Sequence, residues 1–217
     1  MNKPNVLSSI KQWGNLEVVI ADPCGKIGAI NYGIKEASEG YDIIVLASDD
    51  MVPTGYGWDR HIINCMTKHY PDTDGVLWFN DGHVGDTLNT LSILGKQYLD
   101  RFGYIYHPSY EALWCDNEFM DVANLLGKQT YFNECIIRHE HPAWTNKAHD
   151  NLNMRDNQYY TMDKLNYEHR KANNFDIVIN TNTNTAKPEG DVQQAIRFAE
   201  QPDLPKRGRR KRTDLQS

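Results

Sequence analysis

Carboxylates, imidazoles and amides with chemical potential fall in a few short stretches of the chain. Asp49 and Asp50 follow the apolar run 42–47. Adjacent carboxylates repel and lose hydration unless a cation or several donors share them, so a hard divalent ion suits the pair. Asp116 and Glu118 open an apolar-periodic stretch, where a helix N-terminus stabilises negative charge. A carboxylate held there can take a proton from a hydroxyl, and the same position also suits an N-cap. His139 and His141 follow another apolar run, and at i and i+2 of an extended segment their rings point to one side. One imidazole in an oxygen-rich site suits Mn2+, whereas both with a distant Asp make a zinc set. Asn80-Asp81-Gly82-His83 is a polar turn after a third apolar run. Tyr104, Tyr106, Tyr110 and Trp114 offer aromatic faces for a sugar ring or for a core. Arg155 and Arg170 are cations for a diphosphate in a polar C-terminal region.

These groups need elements to hold them, and the pattern predicts an α/β fold. A strand over 16–21, a helix over 31–39 and a buried strand over 42–47 make a βαβ unit and hence a mostly parallel sheet flanked by helices. Ligands in such sheets gather outside the C-terminal strand ends, which is where Asp49 and Asp50 fall. Pro53, Gly55 and Gly57 predict no regular element before the helix at 58–69. Strands follow over 75–80 and 90–95, then helices over 96–102 and 116–126, the latter with Phe119, Val122, Ala123 and Leu126 on one face. Strands over 130–132 and 135–138 complete the sheet. A short helix is also expected over 6–13.

Beyond Trp144 the composition turns polar. A helix over 159–173 is expected to pack through Tyr160, Leu165 and Tyr167, followed by an apolar run at 177–179, an Asn-Thr repeat and a helix over 191–200. The chain thus divides into a core of residues 1–145, a helical lid or packing extension at 146–180, and a linker, short helix and basic tail at 181–217.

The series Asn31-x-Gly33-Ile34-x-x-Ala37-x-x-Gly40, a strand, Ser48-Asp49-Asp50, Pro53 and Gly57-Trp58-Asp59 resembles the core of GT-A glycosyltransferases, particularly family-2-like ones. The likeness covers roughly residues 15–145, in the order strand, helix, acid pair, polar loop, helix led by an acid, and histidine. It implies a metal-dependent transfer of sugar from a nucleotide-diphosphate donor, of UDP or GDP type, to a hydroxyl acceptor. Asp49 and Asp50 would hold Mn2+ or Mg2+, with His139 or His141 completing the shell. Asp22, Asn31 and Asp49 would contact the nucleotide sugar. Asp116 stands where the family has its base, in a Cys115-Asp116 variant of a Glu-Asp motif, with Glu118 as runner-up. Asn80, Asp81, Gly82 and Trp114 would form the acceptor and sugar loop. Only 15 residues precede the strand at 16–21, too few for the family's usual first strand and helix, so either that strand is absent or the sequence lacks its natural start. A degenerate GT-A frame acting as a non-catalytic scaffold is therefore an alternative. So is a nucleotidyltransferase, for which Asp22-Pro23-Cys24-Gly25-Lys26 is a poor phosphate loop.

Composition narrows the setting. The 217 residues are 40% hydrophobic and 24% charged, enough for one sizeable core. No apolar run approaches the roughly 20 residues of a membrane span, and Met1-Asn2-Lys3-Pro4 lacks a secretory core, so a cytoplasmic location is expected. Cys24, Cys65, Cys115 and Cys135 form no C-x-x-C pair and are expected to be reduced thiols. Residues 201–217 hold six basic and two acidic side chains, so the net charge of -6 resolves into a body of -10 and a tail of +4. Such a body opposes phosphate approach, which leaves only the tail to dock on nucleic acid, a membrane surface or an acidic partner.

Overall fold

The computed structural model describes residues 25–141, 151–178 and 197–198. The strand expected over 16–21, Asp22, the helix over 6–13, the Asn-Thr repeat and the basic tail lie outside them. In chain order the elements are α1 (Gly25–Asn31), α2 (Ile34–Ala37), β1 (Ile43–Val45), β2 (Met51–Pro53), α3 (Trp58–His69), β3 (Val76–Phe79), β4 (Ile93–Gly95), α4 (Lys96–Phe102), α5 (Cys115–Leu125), β5 (Gln129–Phe132), β6 (Ile137–His139), α6 (Asn151–Asn157), α7 (Tyr160–Ala172), a 3-10 turn (Asn174–Asp176), β7 (Ile177–Val178) and β8 (Arg197–Phe198).

The main sheet has the order β1-β4-β3-β5. β4 runs antiparallel to both β1 and β3, and β5 is parallel to β3. The sheet is thus mixed rather than mostly parallel, because β4 turns back between two strands that share a direction. β1, β3 and β5 still end at one edge, and the site lies there.

Alternation along the strands builds two cores. Val76, Leu94 and Ile44 face one side, against Ile27, Tyr98, Leu99, Phe119, Val122 and Tyr167. Leu77, Phe79, Ile93, Ile43 and Val45 face the other, against Ile62, Cys65 and Met66 of α3. β3 is buried along its whole length because helices cover both faces, which explains its unbroken apolar run. β1 is only half-buried, against the expectation of a buried strand, and its one pairing among the described residues is with β4.

Three sequence expectations are corrected. Residues 51–53 do form a strand despite Pro53, which sits at its last position. β6 does not complete the main sheet; it pairs antiparallel with β2 in a separate ribbon, Met51 opposite His139 and Pro53 opposite Ile137. Arg197 and Phe198, expected in a helix, lie in β8 against β7.

α7 belongs to the same core as the sheet helices, through Tyr167. Its inward positions are Asp163 and Tyr167, one turn apart, whereas Leu165 is 61% exposed. Tyr160 is also exposed, with its ring set against Trp114 at a centroid distance of 5.7 Å. No helix among the described residues is long and apolar enough to cross a membrane.

Candidate functional site

The end of β1 and the β2–β6 ribbon bring Asp50 and His139 together. Met51 N–H closes a turn on Ser48 O at 3.1 Å, and Glu140 N–H donates to Asp50 O at 2.8 Å. His139 N–H donates to Asp81 O at 3.0 Å, so the segment after β6 is stitched to the turns leaving both β1 and β3. His139 Nε2 then lies 3.3 Å from Asp50 Oδ2. Burial works to raise the Asp50 pKa, but the Ser48 hydroxyl that donates to Oδ1, together with His139 and His141, outweighs it and holds the carboxyl below its ordinary value. His141 stacks edge-on against His139, with centroids 5.5 Å apart. Asp49 is exposed, so the fold separates the two adjacent carboxylates.

Asp116, at the start of α5, is in electrostatic reach of His139. α5 leads into parallel strand β5, so its first turn lies at the edge where the strands end. Burial dominates at Asp116 and raises its pKa, against the lowering pull of the Asn117 N–H, Lys26 and His139. Its Oδ1 accepts from Asn117 N–H at 3.0 Å. The carboxylate thus shares an electrostatic neighbourhood with His139 while being harder to ionise than Asp50.

Glu118, two residues on, is used differently. It is 4% exposed and accepts from Arg170 Nε at 2.7 Å, Arg170 Nη2 at 2.8 Å and the Tyr110 hydroxyl at 2.7 Å. Arg170 also binds Asp176 at 2.8 Å. Both the runner-up base and the cation expected for a diphosphate are therefore occupied within an internal network. The other such cation, Arg155, reaches Asp156 at 3.4 Å.

Several other expected contacts are built into the fold. Asn31 uses its amide on a neighbouring segment, donating to Tyr106 O at 2.6 Å and accepting from Ile105 N–H at 3.0 Å, rather than presenting it to a nucleotide. The Asp81 carboxylate is 2% exposed and accepts from the N–H groups of His83 and Val84 and from the Thr90 hydroxyl, at 2.8–2.9 Å. Burial raises its pKa, but those donors win and hold it below the ordinary value. Asn80 Oδ1 caps Gly82 N–H at 2.8 Å. Gly82 has φ +86°, and a Cβ there would approach Arg138 Cγ at 3.2 Å, so the turn needs glycine. Trp114 packs against Tyr160 and Tyr167 of α7. Tyr106 and Tyr110 are core residues, hydrogen-bonded to Ser92 and Glu118.

Three participants carried no clear signal. Lys26 is in electrostatic reach of Asp116 and 3.9 Å from Asp156. Ser48 holds Asp50 through its hydroxyl. Asp163, 1% exposed, accepts from the backbone N–H groups of Glu111, Ala112 and Leu113 at 3.1, 3.0 and 2.8 Å, fixing the segment that leads into Asp116. An acid in the first turn of a polar helix looks like any helix-start charge, so only the fold reveals this use.

Among the described residues, no group of three or more His, Cys, Asp or Glu side chains is arranged to hold a metal ion. A carboxylate oxygen and an imidazole nitrogen 3.3 Å apart are nevertheless donors suited to neighbouring positions on one hard or borderline ion. His139 Nδ1 is buried without a hydrogen-bond partner among the described residues. Mg2+-type ions are commonly held by one or two carboxylates plus substrate phosphates, so a donor set of this size fits such an ion without a protein cage. Comparison with known proteins finds no matching family model, no matching curated protein and no matching solved structure.

Proposed function

We propose that the protein is a metal-dependent glycosyltransferase, moving a sugar from a nucleotide-diphosphate donor of UDP or GDP type to a hydroxyl acceptor. The observation that carries this reading is the β2–β6 pairing, which sets Asp50 Oδ2 3.3 Å from His139 Nε2 with Asp116 in electrostatic reach of the same ring. Asp50 and His139 would hold Mn2+ or Mg2+, and the exposed Asp49 stands beside them for the donor. The bound ion would neutralise the charge of the diphosphate.

The chain's own groups divide the remaining work. Ser48 and His139 keep Asp50 ionised. Asp116 takes the proton of the acceptor hydroxyl as that oxygen bonds to the anomeric carbon and the bond to the diphosphate breaks. Its raised pKa makes it a stronger base than an ordinary aspartate while leaving it ionised above its own titration. The Asp81 turn and the Asp163 clamp keep the flanking backbone in register, as transfer between two bound molecules requires.

Thermal unfolding with UDP, GDP, CDP, TDP and ADP, with and without Mn2+, tests the reading. A nucleotide at 100 times its Kd adds about 2.7 kcal/mol, or roughly 5–10 °C for a chain of this size. The expected result is a Mn2+-dependent shift with one nucleotide that is lost in Asp50→Ala. No shift with any of them would refute the transferase and favour a non-catalytic scaffold.

A further inference from the structure

Asn174, Phe175 and Asp176 stand in succession at φ +51°, +55° and +60°, with no glycine among them. Asparagine and aspartate visit this left-handed region as single residues and phenylalanine rarely does. A run of three is disfavoured at each step, because Cβ crowds the following carbonyl. Neighbouring contacts must therefore hold the turn closed. The Phe175 ring is buried in the core, its centroid 6.1 Å from that of Tyr167. Asp176 Oδ2 accepts from Arg170 Nη1 at 2.8 Å. The seat is not completely filled: Phe175, Tyr98, Phe102, Ile105, Phe119 and Val122 help to line a cavity of about 20 Å³, room for one water. The Tyr98 hydroxyl is buried without a hydrogen-bond partner among the described residues. A turn that is costly in backbone conformation thus carries a plug that packs incompletely.

The groups that hold the turn also hold the start of α5. Arg170, which binds Asp176, donates to Glu118 through Nε and Nη2 at 2.7 and 2.8 Å. Tyr167, which packs on Phe175, lies 5.3 Å from Trp114 between ring centroids and donates its hydroxyl to Asp121 at 2.6 Å. Trp114 immediately precedes α5, and Glu118 and Asp121 belong to it, so Asp116 lies within the stretch that α7 grips. Withdrawing Phe175 removes support from one side of Tyr167, and relaxing the turn takes Asp176 away from Arg170.

We infer that residues 174–176 form a sprung latch, a conformational device that opens locally while the sheet stays folded. Closed, Phe175 is seated and α7 grips the start of α5. Open, Phe175 leaves its seat, the three residues return to negative φ, and the start of α5 loosens with them. The backbone strain brings the open state closer in free energy to the closed one than an unstrained turn would, as a local unit of low stability requires. The latch is independent of the transferase reading; where that reading holds, opening loosens the segment that carries Asp116.

The test is native-state hydrogen exchange on the intact protein, from no urea to moderate urea. The N–H groups of Asp176 and Ile177, which donate to Asn173 O and Asn174 O, report the latch. That of Glu118, donating to Trp114 O, reports the start of α5, and that of Val76 in β3, donating to Lys128 O, reports global unfolding. The first three are expected to share one opening constant, at least about a hundredfold above that of Val76 and nearly independent of urea, whereas exchange at Val76 steepens with urea. Ile62→Val, in the opposite core, should speed exchange at Val76 roughly 2–10-fold and leave the other three unchanged. Phe175→Ala should strip the three of their remaining protection. Asp176 and Ile177 exchanging at the rate of Val76, with its urea dependence, overturns the latch. Opening at Asp176 and Ile177 without Glu118 overturns its link to α5. Wild type and Ile62→Val decide both points even if Phe175→Ala does not fold.

Discussion

Replacing Asp163 by Asn should cost the protein far more than a neutral, nearly isosteric change normally does. The carboxylate is 1% exposed and serves three N–H donors, Oδ1 taking Glu111 and Oδ2 taking Ala112 and Leu113. An amide keeps only one acceptor oxygen. Whichever way it is turned, at least one backbone N–H loses its partner and meets an NH2 donor instead. A buried unsatisfied donor costs about 1–3 kcal/mol, and bonds to a charged acceptor weaken when the charge goes. The expected loss is therefore about 2–4 kcal/mol, a fall in Tm of roughly 5–15 °C at this chain length. Urea and thermal unfolding would measure it. The clamped segment runs directly into Trp114 and Asp116, so any transfer activity should fall with the clamp, whereas nucleotide stabilisation through Asp50 should persist. A Tm within 2 °C of wild type would refute the reasoning, because it would mean that the three donors find other partners.

Two further perturbations address the acids of α5. Glu118→Ala should destabilise by about 3–5 kcal/mol, since it leaves the Arg170 guanidinium largely buried beside Tyr110 with Asp176 as its remaining partner among the described residues; Glu118→Leu with Arg170→Met should recover much of the loss in urea unfolding. Asp116 has a folded pKa raised above its unfolded value, so its contribution to stability is fully present below the unfolded pKa and is lost as pH rises through the folded pKa. Asp116→Asn should accordingly be more stable than wild type at pH 7, with the advantage vanishing below the ordinary carboxylate range, and thermal unfolding against pH would read the crossover. If it is the base, the same variant should abolish transfer.

The sequence by itself determined which segments become elements in the heart of the chain. The apolar spacing of Phe119, Val122 and Ala123 marks α5, and the unbroken run at 76–79 marks the strand buried on both faces. These are local signals, because side-chain periodicity follows directly from helical and strand geometry. The positions at which chemistry-bearing side chains leave those elements, Asp50 after β1 and Asp116 at the start of α5, were legible for the same reason.

Only the tertiary structure decided which of those side chains meet. Nothing local distinguishes Asp49 from Asp50 or His139 from His141. The antiparallel pairing of Met51 with His139, across 88 positions of chain, points Asp50 at His139 and leaves Asp49 exposed. A three-residue strand that ends in Pro53, with Gly55 and Gly57 close behind it, has no local signature strong enough to foresee that ribbon. Likewise Asn31, Asp81, Glu118 and Arg170 read as candidate ligands because their groups are polar, yet the fold engages them internally. A buried polar group must find a partner, and which partner is near is set by packing between distant segments rather than by neighbours in sequence.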